Sequence, residues 1–153
     1  MRCPGWKIAW TVVLAVVGLL AVAQLVPYGR DHTNPPVVAE PRWDRPATRE
    51  LARRACFDCH SNETRWPWYS HVAPASWLVQ NDVDEGRYEL NFSRWDRVYE
   101  EAHESGDVVR EGGMPPRYYL WMHGDAKLTA AEREELARGL DASLAPPRTS
   151  RRD

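Results

Sequence analysis

The longest apolar stretch of the chain runs from Ile8 to Val26 with no charge, and Thr11 and Gln24 are its only clearly polar residues. Nineteen residues at about 1.5 Å rise span roughly 28 Å, close to the ~30 Å hydrocarbon layer of a bilayer. The run predicts a membrane-crossing helix, with Trp6, Trp10 and Tyr28 at interfacial levels. Arg2 and Lys7 on the short leading flank place that end in the cytoplasm and the remainder on the outer, periplasmic side of the cytoplasmic membrane. Ala21-Val22-Ala23 also matches a small-x-small signal-peptidase site, so cleavage is the competing fate of residues 1–26. Leu25 and Val26 extend the apolar run past that site, which favours an uncleaved anchor.

Between Pro27 and Pro46, prolines 27, 35, 36, 41 and 46 alternate with charged residues, which predicts an extended tether. At about 3.1 Å per residue it reaches up to ~60 Å, unless Val37, Val38 and Trp43 pack onto the following domain. His32 is read as solvated. Residues 145–153, which open with Ala145 and two prolines, read as a disordered tail. The stretch from Ala47 to Leu144 is long enough for one domain and not for two.

Inside that domain the pattern is helical, and the expected class is all-α. Thr48 is placed to cap a short helix with Leu51, Ala52 and Ala55 inward, and Ser76 a second carrying Leu78, Val79, Val83 and Leu90. Ser93 opens an expected third helix with a Trp95, Val98, Tyr99, Ala102 stripe, which Ser105-Gly106 ends before a short Val108-Val109 turn. The last helix is marked by a Thr129/Glu132 capping box and by Leu136, Leu140 and Leu144 on one face. No strand alternation competes.

Composition changes this picture little. Residues 28–153 hold 18 Arg or Lys against 22 Asp or Glu, unsuited to general nucleic-acid binding. Asp82 to Glu111 holds ten carboxylates against four arginines, which reads as the solvated faces of two helices or as a surface steering a basic redox partner. Cys3 precedes the apolar run, unlike a lipoprotein cysteine, and reads as a reduced cytosolic thiol.

The candidate chemistry lies in Cys56-Phe57-Asp58-Cys59-His60, the CxxCH pattern of covalent haem c attachment. Two thiols three positions apart can add to the two vinyl groups of one porphyrin, and the next imidazole then lies beneath the iron. A zinc site would need four ligands, a thioredoxin-like pair a βαβ setting, and a plain disulfide would leave His60 without a role.

The opposite face of the iron takes either a second ligand or an open site. Met114, in Gly112-Gly113-Met114-Pro115-Pro116, is the expected second axial ligand, because glycines allow close approach and prolines stiffen the loop. Met122 reads as core filler, His103 and His123 as surface residues, and His71 as the leading histidine alternative. Arg65 is a candidate partner for a haem propionate. Trp66, Trp68, Tyr69 and Trp77, with Tyr118, Tyr119 and Trp121, are candidates to wrap the porphyrin or to fill the core.

Cys56-x-x-Cys59-His60-Ser61-Asn62-Glu63-Thr64 with Trp66-Pro67-Trp68-Tyr69, then Gly113-Met114-Pro115-Pro116, resembles the bacterial haem-binding domain family of small membrane-anchored c-type cytochromes. The resemblance includes Asn34-Pro35-Pro36-Val37 and Trp77-Leu78-Val79 and spans nearly the whole chain. It implies one covalent haem on the outer side of the membrane and a cytochrome-c-like helical fold, with no implied substrate. The expected function is single-electron transfer with a redox protein or respiratory complex at a mid-to-high potential, as a carrier rather than an enzyme. The alternative is a five-coordinate haem sensor or peroxidase-like protein with an open distal site.

Overall fold

The structure is a computed structural model that describes residues 4–145; Cys3 and the tail beyond Ala145 lie outside the described residues. Those residues form seven α-helices and three short 3₁₀ turns, with no strand among them beyond one isolated parallel bridge between Ala39 and Arg94. The helices are α1 (Pro4–Ala23), α2 (Pro46–Ala55), α3 (Phe57–His60), α4 (Ala75–Glu89), α5 (Ser105–Glu111), α6 (Tyr119–Met122) and α7 (Ala130–Leu144). The expected all-α class holds. Two compact units divide the chain: residues 1–33 with 66–82, and residues 34–65 with 83–153.

In the first unit, α1 carries Lys7 as its one charge and is exposed from Trp6 to Val22. It is long and apolar enough to cross a membrane. Just past its end, the Gln24 side chain donates to Ala73 O (2.9 Å) and accepts from Ala73 N (3.0 Å), tying residues 49 positions apart. Gly29 adopts φ +78° against the Ser76 carbonyl, where a Cβ would lie 2.3 Å from that oxygen. His32 is not solvated as expected. Its Nε2 lies 3.0 Å from Ser70 O, and its ring packs on Trp66 and His71 at 4.6 and 4.3 Å between centroids.

The core of the second unit gathers Leu51, Ala52, Ala55, Phe57, Phe92, Ala102, Val109, Leu136, Ala137, Leu140 and Leu144. Helix α7 runs through it. Its expected capping box is present, with Glu132 N donating to Thr129 Oγ1 (3.2 Å) and Thr129 N to Glu132 Oε2 (2.8 Å), and its three leucines are buried.

Four expectations need correction. Helix α2 starts two residues before Thr48, because Pro46 has the fixed φ and missing N–H that suit a first turn, and Arg45 is the cap. Thr48 is instead fully buried against Gly139 of α7, where a Cβ would lie 2.2 Å from its hydroxyl. Ser76 lies inside α4, whose first residue is Ala75. The third helix is absent: residues 91–101 run in turns, and Val98 is 89% exposed.

The cause is competition by side chains for the backbone. Asn91 Oδ1 accepts Ser93 N (2.9 Å), Ser93 Oγ accepts Asn62 N (2.9 Å), and Ser93 O accepts Val38 N (2.9 Å). These bonds consume the groups a helix would need. Ser105-Gly106 then begins α5 rather than ending a helix, since Gly106 lets α5 approach Ala137 O and Asp141 of α7.

From Asn34 onward the expected tether is laid along this unit. Asn34 Nδ2 donates to Thr64 O, Asn62 Nδ2 to Pro36 O, and Trp95 N to Ala39 O, all within 3.0 Å. Val37 and Val38 stay exposed, whereas Trp43 packs on Phe57 and Phe92. Glu40 accepts Arg49 through both oxygens (2.6 and 2.7 Å), and that guanidinium holds its carboxyl below the ordinary range.

Candidate functional site

Helix α2 ends at Ala55, and Cys56 closes it by donating its N–H to Ala52 O (2.7 Å). The chain then makes the single turn of α3, in which Cys59 N and His60 N both donate to Cys56 O (3.2 and 2.9 Å). Residues three and four apart on a helical turn share a face, so the two thiols and the imidazole are set on one side. Both cysteines are thiols rather than halves of a disulfide. Burial, reinforced by the neighbouring Cys59, pushes the Cys56 thiol up to about 12.

His60 is oriented by α4 and the residue that follows it. Its Nδ1 lies 2.9 Å from Gly86 O and 3.1 Å from Leu90 O. Both partners are carbonyl acceptors, so Nδ1 carries the proton and donates, which leaves Nε2 with a bare lone pair. Burial lowers the imidazole's pKa, against the opposing pull of those two carbonyls, and keeps the ring neutral.

Gly86 makes the arrangement possible. A Cβ there would lie 2.6 Å from Cys59 O and 3.0 Å from Cys59 Cβ, so only glycine lets α4 come close enough to hold the ring. Sequence reasoning missed this residue, although a glycine inside a helical pattern was the available signal.

Asp58 was also missed. It is nearly buried, accepts Arg65 N (3.0 Å), Arg65 Nε (3.2 Å) and Arg65 Nη2 (3.0 Å), and takes the Tyr119 hydroxyl at 2.7 Å. Arg65 Nη1 reaches Asp125 at 3.2 Å, so this expected propionate partner is engaged by two carboxylates of the protein. The Tyr119 pKa is raised by burial and by the adjacent Asp58 charge. Arg87 of α4 closes the motif from behind, donating to Ser61 O (2.8 Å), Thr64 Oγ1 (3.0 Å) and Asn34 Oδ1 (3.0 Å).

The Met114 loop is fixed at both ends. Before it, Gly112 turns left-handed at φ +76° to cap α5, and Gly113 N donates to Val108 O (3.0 Å). After it, Tyr119 fastens α6 to Asp58 within the CxxCH motif. The Met114 side chain is 38% exposed and reachable, whereas Met122 is more exposed still and does not fill the core as expected. His103 is exposed, and His123 stacks on Tyr119 at 3.9 Å between centroids.

Trp66, Trp68 and Tyr69 fall in the other unit. The indole N–H of Trp66 is buried with no hydrogen-bond partner among the described residues, as is that of Trp77. Trp68 is 74% exposed, and its ring meets Tyr69 edge-on at 5.8 Å.

A single-ligand imidazole with its second nitrogen anchored on carbonyls, beside two thiols that are not oxidised to each other, is a donor set that fits a haem iron and its vinyl groups. No curated protein and no solved structure matches the chain. A family model described as a haem-binding domain matches residues 18–142, from the second half of α1 into the last turn of α7. The chain therefore belongs to the haem-binding domain family.

Proposed function

We propose that the chain is a membrane-anchored monohaem c-type cytochrome that carries single electrons on the outer face of the cytoplasmic membrane. The observation that carries this reading is the His60 imidazole, whose Nδ1 is committed to Gly86 O and Leu90 O and whose Nε2 is left for a metal. Cys56 and Cys59 would hold a porphyrin through their sulfurs, by addition of each thiol across one vinyl group, and His60 would hold its iron. Bound there, haem supplies an iron that cycles between ferrous and ferric states.

The protein's own contributions are orientation and stiffness. Carbonyl bonds fix the tautomer and angle of His60, and Asp58, Arg65 and Tyr119 brace the turn that carries both thiols. Met114, in a loop tethered at both ends, would be the residue that holds the iron opposite His60. A thioether ligand would raise the potential of a bound haem, and a loop tethered at both ends would limit reorganisation. Burial raises the Cys56 thiol's pKa, which disfavours the thiolate that a thiol-disulfide exchange role would need.

The test is expression with haem-attachment machinery, followed by a haem stain on a denaturing gel and a ferric spectrum. A haem-stained band and a weak far-red Fe–S(Met) absorption that Met114→Ala abolishes are expected. A redox midpoint in the mid-to-high range should accompany them. Ready carbon monoxide binding by the unaltered protein would establish the open-site sensor or peroxidase-like reading instead, and a strongly negative midpoint would establish two histidine ligands.

A further inference from the structure

Two uncharged runs stand out in a chain that is 27% charged: Ile8–Gly29, and the sixteen residues Trp66–Asn81, which hold no Asp, Glu, Lys or Arg. They are distant in sequence, yet the structure packs both into one compact unit. The join is specific. Gln24, one residue beyond α1, grips both the N–H and the C=O of Ala73, and Gly29 seats against the Ser76 carbonyl.

These bonds fix a height. Whatever level the end of α1 occupies in a bilayer, Ala73 is within hydrogen-bond reach of it. The residues around Ala73 present apolar surface: Trp68 is 74%, Val72 46% and Leu78 51% exposed, beside a Leu25 that is 80% exposed at the helix end. Tyr28 completes the set as a second exposed aromatic residue with a polar tip. An exposed tryptophan in a segment without charge, five residues before the Ala73 that Gln24 holds at the helix end, has the properties of an interfacial anchor.

We propose that Trp66–Asn81 is a second lipid-contacting element, with Trp68 and Val72 inserted at the level of the headgroups and upper acyl chains. This rests on the reading of α1 as a membrane span. The protein then meets the bilayer through a helix and a loop together, and the segment that begins six residues after His60 is held at the membrane surface.

Photolabelling of the full chain tests it, in vesicles of phosphatidylethanolamine and phosphatidylglycerol doped with a phospholipid bearing a diazirine near the top of one acyl chain. Trypsin separates Ile8–Arg30 from Trp66–Arg87, and both peptides are expected to carry lipid adducts. A Trp68→Asp/Val72→Asp chain should lose Trp66–Arg87 labelling several-fold while Ile8–Arg30 is labelled as before. Labelling of Ile8–Arg30 alone in the unaltered chain would overturn the proposal and leave the anchor standing. Persistence of Trp66–Arg87 labelling in the charged variant would also overturn it, and absence of label from both peptides would remove the anchor reading and the proposal together.

Discussion

At the scale of single residues, the site depends on two positions that carry no ligand atom. Gly86 sits where any side chain would collide with the Cys59 backbone, so Gly86→Ala must push α4 away from the turn that bears His60. Overpacking of this kind costs about 1–3 kcal/mol. The denaturant midpoint is expected to fall accordingly, and the haem spectrum to change, because the carbonyl of residue 86 no longer meets Nδ1. Tyr119→Phe removes the hydroxyl that Asp58 accepts at 2.7 Å, a bond to a nearly buried carboxylate worth about 1.5–3 kcal/mol. Its expected signature is a lower midpoint of unfolding together with a weakened Fe–S(Met) absorption, since the loop carrying Met114 loses one of its two fastenings.

The proposed ligand residues stand out in the sequence, whereas the residues that support them do not. Cys56, Cys59 and His60 announce themselves by spacing alone, whereas Gly86 and Asp58 acquire their roles from partners 27 and 61 positions away. His32 shows the same limit. A histidine among prolines gives no sign in sequence of the ring pile with Trp66 and His71 that receives it.

At the scale of elements, α7 carries the second unit. Leu140 is almost fully buried within the core, so Leu140→Ala should cost about 2–5 kcal/mol in a chemical-denaturation series. Its capping box also sets a pH dependence. Backbone bonding at Thr129, with Arg54 beside it, holds Glu132 down to about 2, below the ordinary carboxylate value. A carboxyl depressed in the folded state contributes stability that is fully present above its unfolded pKa, roughly 4.3, and is lost as pH falls through about 2. Glu132→Gln should flatten the stability profile over that window when unfolding is followed by circular dichroism.

Helix α1 was readable from the length of its uncharged apolar run, and α7 because its leucine spacing and its capping box agreed. The absent third helix was not, because its expected stripe of Trp95, Val98, Tyr99 and Ala102 obeys helical spacing while Asn91 and Ser93 spend their polar groups on distant strands of chain. Helix period is a local signal, and side-chain competition for the backbone across thirty residues overrides it.

At the scale of the whole molecule, the chain joins an apolar helix long enough to cross a bilayer to a helical haem-binding domain. All that is distinctive in the second unit converges on one turn of helix: the α2 end that presents Cys56, the glycine that admits α4, and the carboxylate that ties α6 to the motif. The direct measurement is mass spectrometry of the tryptic peptide Ala55–Arg65 from protein matured with haem-attachment machinery. The account predicts a peptide heavier by one haem, with neither thiol open to alkylation; the same peptide at its bare mass, with both thiols alkylated, would contradict it.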